Sequence, residues 1–530
     1  MLFLLGWYNL GDDGTTAPGY FPHYDFTIEK IYAIHGNYAI NHGNYGEQKA
    51  RGIFLYTLAG VVARYAVEHG SGPVIYITGT QATDKYLDYI ASHGIPVDYT
   101  YDVNDPSSLW DLAAALMVYT SGHYLKCNES NASVNWATSL AAKYKAPVAD
   151  GRIVPYVEAV GYTLLKSFDA TGGADYTKES PVYNEYKSWV GGTFYILGDT
   201  LDYLEGENYD TTAKSPDPKF FMPRDFIVFS KGWASYDTNS RGDYLKDAVD
   251  DSPVLGWQGL HHDGTEIGEY IHVDEATRRS ILSVPTDYTP NLPVTTTVRP
   301  SLYEVRFKKR LMVRDIDYPD TANYKYVLLQ LSDGDNVNLV AIDVPFSKNA
   351  WASDLRGSFP FCWSMSSMVF DAVPQAMKYY AETQTFNDTF TLPISGGGYF
   401  YYNHYAAVQG PTLTQHYERV NEFMKKMGIT ATIVMASDMP YIDSPPPDYN
   451  PVVHNLDKGL GGFIYTYTSA YNNFHGQVWW GTTHNGKDLP FISCKERVWD
   501  DTESESDVIN NVNSASHGTL YSWLSTQEML

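Results

Sequence analysis

The chain has 530 residues, more than one ordinary domain holds, with 44% hydrophobic residues, 19% charged residues and a net charge of −25. That balance supports a large core and excludes global disorder. An acidic surface repels phosphate backbones, so nucleic acid and anionic membrane are poor partners, whereas neutral polymers stay open.

Residues 1–50 are aromatic, Gly-rich and irregular, and HGNY occurs twice, at His35–Tyr38 and His42–Tyr45, as a loop duplication. Ala50–His69 then reads as a long apolar helix and Pro73–Thr78 as a buried strand. A helix over Thr83–Ser92 stops at Gly94, and Val97–Tyr101 forms a short strand. A helix over Pro106–Tyr119, a strand at Tyr124–Cys127, a helix over Ser133–Lys145 and a strand starting at Pro147–Val148 continue the alternation. Strands alternating with helices predict a parallel α/β layer. No GxGxxG or P-loop accompanies it, so nothing points to a dinucleotide. Residues 155–210 look mainly helical, and Gly206–Pro218 reads as a linker.

A second series of apolar strands follows at Val254–Trp257, Ile281–Val284, Val327–Leu331, Phe359–Trp363, Thr389–Ile394, Ala431–Met435, Phe463–Tyr465 and Phe491–Cys494. Helical segments such as Pro374–Thr383 and Leu413–Met427 lie between several of them. Eight such units predict a (β/α)8 TIM-like barrel over residues 221–530, behind an N-terminal α/β region of one or two subdomains over residues 1–220. Asp225–Phe229 is a further strand candidate, and a doubly wound sheet is the alternative architecture.

No run of about 18 apolar residues stands out, so no membrane span is expected. Met1–Leu5 is too short for a signal h-region and lacks basic residues; either the protein is cytosolic or a leader is missing from this sequence. Cys127, Cys362 and Cys494 are far apart, which argues against a disulfide framework or a thiolate zinc site.

In a barrel of this kind, catalytic residues follow the carboxyl ends of strands. The first strand leads to Trp257, His261, His262, Asp263, Glu266 and Glu269, and the second to Asp287 and Asn291. Ser332-Asp333-Gly334-Asp335-Asn336 ends the third strand and Trp363-Ser364 the fourth. The fifth runs into Ser395-Gly396-Gly397-Gly398-Tyr399-Phe400-Tyr401-Tyr402-Asn403, and the sixth ends at Ser437-Asp438. Tyr465 and Tyr467 follow the seventh; Lys495, Glu496 and Arg497 lie near the eighth. Carboxylates among aromatic rings suit glycoside cleavage, in which one acid protonates the leaving oxygen and the other attacks or activates water. Tyr and Trp make up much of the 15% aromatic content, and such rings either hold sugars or simply fill strands.

SDGDN is either a polar ligand cluster or a tight Asx turn, and its Asp-x-Asp could hold a divalent cation. GGG is either a flexible turn or a place where backbone approaches ligand. His261-His262-Asp263 reads as an exposed loop without metal, since adjacent His side chains do not converge.

The segment GGGYFYY resembles the signature of the GxGYxYP putative glycoside hydrolases. Gly396, Gly398, Tyr399 and Tyr401 match, while Tyr402 stands where the family has Pro. LGW at Leu255–Trp257, SDGDN, Trp363-Ser364, Asn387-Asp388 and TLAGVVAR at Thr57–Arg64 also fit, so the resemblance extends over nearly the whole chain. It implies an N-terminal α/β portion, a C-terminal barrel, a carbohydrate-active role often linked to gut bacteria, and an extracellular or periplasmic location.

The leading expectation is therefore a glycoside hydrolase with a carbohydrate partner. Asp335 and Asp333 are the first catalytic candidates, with Glu266 as partner acid. Trp257, Asp287, Asn336, Trp363, Gly398, Tyr399, Tyr401, Asp438 and Arg497 are the expected substrate-binding residues. No resident cofactor or metal is expected. The alternatives are a metal-dependent, deacetylase-like carbohydrate hydrolase with a cation at Asp333 and Asp335, and a glycan-binding protein without catalysis.

Overall fold

A computed structural model describes residues 19–35, 45–101, 107–128, 133–168, 181–190, 196–198, 223–235, 247–256, 269–285, 289, 291–307, 323, 325–408, 410–437, 450–454, 456, 461–467, 478–493, 496–498, 505–515 and 520–525. The chain divides into two compact units. One comprises Met1–Gly6, Phe21–His272 and Pro285–Arg299; the other comprises Trp7–Tyr20, Val273–Val284 and Pro300–Leu530.

In the first unit, β1 (Thr27–His35) lies between β2 (Ser71–Thr78) and β3 (Val97–Tyr101), all parallel. Six consecutive residues of β2 are buried, because a parallel strand covered on both faces needs an unbroken apolar run rather than an alternating one. The helix Tyr45–His69 packs on β2 and on the short helix Arg224–Ser230. Its segment Glu47–His69 is the one described helix long and apolar enough to cross a membrane, and 83% of its most apolar window is buried within the protein. Burial of that kind marks a core helix. The helix Gln81–Ala91 opens on a reciprocal capping box between Thr80 and Thr83, which satisfies two of its free N–H groups.

A second parallel sheet places β4 (His123–Cys127) between β5 (Val148–Asp150) and β6 (Thr163–Ser167); β7 (Ile196–Gly198) pairs with β8 (Trp233–Ser235) in a third, and β9 (Pro253–Leu255) also lies in this unit. The predicted α/β alternation is present, divided among small sheets. Of residues 155–210 the described part is mostly helical, in Val154–Val160 and Pro181–Val190, with the short strands β6 and β7 between and after them. One local reading needs correction. Asp225–Phe229 is helical, within Arg224–Ser230, and every residue of that helix is buried. A short apolar run buried all round carries no period by which helix and strand differ. The linker reading at Gly206–Pro218 lies outside the described residues.

Asp225 sits in this core with both carboxylate oxygens engaged, Oδ1 accepting from the Phe226 N–H and Oδ2 from the Asn291 N–H. The Asn291 side chain in turn pairs with both backbone groups of Ile77. Burial pushes the Asp225 carboxyl up to about 7, against the opposing pull of the two N–H donors. A carboxyl whose folded pKa is raised favours its protonated form in the fold. Its contribution to stability is therefore fully present below about pH 4 and is lost as pH rises toward 7. At roughly 1.4 kcal/mol per unit, the loss is on the order of 2–4 kcal/mol. Asp225→Asn should remove this descent, so that urea unfolding at pH 4.5 and 7.5 shows the difference from wild type shifting toward the variant. A pH-independent difference would refute the assignment.

The second unit contains β10 (Leu282–Val284) and a nine-stranded sheet built from β11 (Tyr326–Leu331), β12 (Phe361–Ser364), β13 (Asp388–Ile394), β14 (Ala431–Ser437), β15 (Gly461–Tyr467), β16 (Val478–Thr482), β17 (Asp488–Ser493), β18 (Glu496–Val498) and β19 (Leu520–Ser525). Across the sheet the order is β18-β19-β11-β12-β13-β14-β15-β17-β16, and every pair is parallel except β16–β17.

This order corrects the expected (β/α)8 barrel. The eight predicted strands exist within a few residues, but among the described residues they do not close. Closure needs the first strand beside the eighth. Here the outer edge of β17 is covered by β16, the outer edge of β11 is taken by β19, and neither β9 nor β10 joins the sheet. Among the described residues the sheet is open and grows outward from β11 in both directions.

Candidate functional site

The carboxyl ends of β11, β12 and β13 lie side by side and bring three of the predicted motifs together. After β11, the Ser332 hydroxyl donates to Asp333 Oδ1 at 2.7 Å. Asp335 is 5% exposed, and Asp333 is half-buried. Asn336 Oδ1 accepts the Leu339 N–H at 3.0 Å, so its side chain caps the helical stretch that follows. Gly334 answers to a close approach. A Cβ there would fall 2.1 Å from the Ser364 carbonyl oxygen, and the Ser366 N–H donates to Gly334 O at 3.0 Å. The turn is thus docked on the end of β12.

At that end, Ser364 is fully buried and its Oγ has no hydrogen-bond partner among the described residues. Such a hydroxyl at a strand end is normally satisfied by a water or a ligand. Trp363 is 4% exposed, packed edge-on to Trp351 with centroids 5.1 Å apart, and its Nε1 donates to Asp388 Oδ1 at 2.9 Å. Asp388 also accepts from Arg356 Nη1 at 2.6 Å. Trp363 therefore belongs to a core cluster and presents no open face to a sugar. The neighbouring Cys362 thiol is pushed up to about 12 by burial and stays an unreactive thiol at neutral pH.

After β13 the chain turns through left-handed backbone at Ser395 (φ 56°), Gly396 (φ 90°) and Gly398 (φ 122°). Sterics demand all three glycines. Added Cβ atoms would lie 2.8 Å from Val420 at Gly396, 2.0 Å from the Tyr20 hydroxyl at Gly397 and 2.8 Å from Leu282 at Gly398. The Ser367 hydroxyl ties this turn to the helix Ser367–Ala372, which follows β12, by donating to Gly396 O at 3.0 Å. His416 Nε2 lies 3.0 Å from Ser395 O. The GGG segment is consequently a packed corner, not a flexible turn. Tyr399 exchanges two backbone hydrogen bonds with Ser283 and is 2% exposed, while Tyr401 is 0% exposed and its N–H reaches Thr277 Oγ1. The two signature tyrosines are thus buried, and their rings meet edge to face with centroids 5.8 Å apart.

The helix Tyr402–Val408 supplies Asn403, the last residue of the strand-five run, and His404, which sequence reading missed. Asn403 pairs with both backbone groups of Ser437 at the end of β14. The half-buried His404 bonds through Nδ1 to Asp274, whose other oxygen accepts from Arg278 Nε at 2.8 Å. An imidazole fixed at Nδ1 by a carboxylate leaves Nε2 as its remaining polar atom, an arrangement suited to proton transfer. The only sequence signal for it was the position of His404 just past a strand-five motif. Trp257, His261, His262, Asp263, Glu266, Asp287 and Asp438 lie outside the described residues, and of Arg497 only its place on β18 is described. Among the described residues no three His, Cys, Asp or Glu side chains come together as a metal-binding group.

A crystal structure of a putative hydrolase from Bacteroides thetaiotaomicron VPI-5482 aligns with a TM-score of 0.73 at 21% identity, over 97% of this chain and 92% of that one, a likeness that establishes fold alone. A search of curated proteins returned no match. The TLAGVVAR similarity in the first half falls outside the family match, which is confined to the second unit and includes both SDGDN and GGGYFYY. Residues 323–528 match the GxGYxYP putative glycoside hydrolase C-terminal domain.

Proposed function

We propose that the second unit is a glycosidase that cleaves an O-glycosidic bond at the carboxyl edge of its nine-stranded sheet, with Asp335 and Asp333 as the acids of the reaction. The observation that carries this reading is topological. In open α/β sheets, ligands bind outside the carboxyl ends of strands where the strand order reverses. Here the order reverses at β11, and SDGDN is the segment that leaves β11. Asn336 and Gly334 hold the turn in place, which leaves the two aspartates as its chemical groups. The buried Ser364 hydroxyl adds a polar atom beside it.

Paired carboxyl groups perform this reaction when one donates a proton to the leaving oxygen and the other attacks the anomeric carbon or activates water. Glu266, proposed from the sequence as partner acid, and His404 held by Asp274 are the further proton-transfer candidates. The test is a panel of plant and host glycans incubated with the purified protein and read for new reducing ends. Release from at least one glycan is expected. Binding of a glycan without any release would replace hydrolysis with recognition.

A further inference from the structure

The first unit contains a buried cation, Arg51, with no counter-ion among the described residues. Arg51, on the helix Tyr45–His69, is 5% exposed, and neither its Nε nor its Nη1 has a hydrogen-bond partner. Each edge of a guanidinium fork that grips an oxyanion uses one of these two nitrogens, so neither edge is doubly engaged. A buried guanidinium in this condition is costly, because it has left water without a carboxylate in exchange. Its described surroundings are two aromatic rings, Trp110 at 5.7 Å and Tyr156 at 5.4 Å from the guanidinium carbon. These rings are parallel to within 6°, with centroids 5.5 Å apart. Tyr156 is 40% exposed and Trp110 half-buried, so the rings reach the surface and cover guanidinium nitrogens that open to a ligand only when a ring moves aside.

Ring faces offset part of the charge of Arg51, but they cannot accept its N–H bonds. An oxyanion can do both. Rings beside an anion-seeking fork fit a pyranose that carries its own negative group, with the sugar face on the aromatic surface and the carboxylate on Arg51. We propose that Arg51, Trp110 and Tyr156 form a binding site for an acidic sugar, a uronate-type residue of a glycan. The inference extends the carbohydrate reading of the second unit, and its test reads binding directly, so a failure to cleave any glycan leaves it intact.

The experiment is calorimetric titration of the full chain with glucuronate, with glucose and inorganic sulfate as comparison probes. Wild type should bind glucuronate saturably and glucose at least tenfold more weakly. Arg51→Met should lose glucuronate binding by tenfold or more while melting no lower than wild type, since it removes an unpaired buried charge. Tyr156→Ala should weaken glucuronate and leave sulfate unchanged. Equal binding of glucuronate by wild type and Arg51→Met, or no binding by wild type, would overturn the site. Sulfate binding as tight as glucuronate and insensitive to Tyr156→Ala would reduce it to a free-anion site and overturn the sugar assignment.

Discussion

Asp335→Asn is expected to lower turnover of any cleaved glycan by about a thousandfold, within the range that general acid–base groups contribute. Asn has nearly the same volume, so a side chain with 5% exposure is replaced without a cavity, and the fold should be retained. What changes is the chemistry, since an amide cannot release or take up a proton at the reacting oxygen. Asp333→Asn tests the other acid of the same turn. If Asp335 is the proton donor, substrates with good leaving groups should lose less activity in Asp335→Asn than those with poor ones. Equal losses would point to a nucleophile or base. Normal turnover in the folded variant would remove Asp335 from the reaction.

Gly334→Ala is expected to destabilise the protein by about 3 kcal/mol and to abolish activity. Its methyl group would lie 2.1 Å from the Ser364 carbonyl oxygen and 2.2 Å from the carbonyl carbon. Both are backbone atoms of a central strand end and cannot rotate aside. The turn must lift off β12, breaking the Ser366 N–H bond to Gly334 and moving both aspartates. Chemical denaturation and the glycan assay together check this. Unchanged stability with full activity would show that the turn is not docked as described.

The strands were legible because an apolar run of four to eight residues bounded by turn residues is a local signal, and Tyr326–Leu331 or Ala431–Ser437 carry it plainly. Pairing is not local, which is why the barrel was expected and an open sheet was found. Two signals for the open edges were present. Asn485-Gly486 between Thr482 and Asp488 is a hairpin turn that marks β16 and β17 as an antiparallel pair. The segment LYSWLS at Leu520–Ser525 is a strand that was not counted. In the site, the position of two aspartates just past β11 was legible, but the role of Asn336 as a cap was not. Nor could the sequence show that Tyr20, some 350 positions from Asp371, donates its N–H to that carboxylate and sets its hydroxyl against Gly397. The burial of Trp363 was not legible because the same indole that suits a pyranose also suits a core, and its bond to Asp388 is visible only in three dimensions.

The most direct measurement is a crystal structure of Asp335→Asn bound to the glycan that wild type cleaves. A sugar lying across the carboxyl ends of β11 and β12, with its glycosidic oxygen within hydrogen-bond distance of residue 335 or of Asp333, is the predicted result. A sugar bound elsewhere on the second unit, with this edge holding only water, would contradict it.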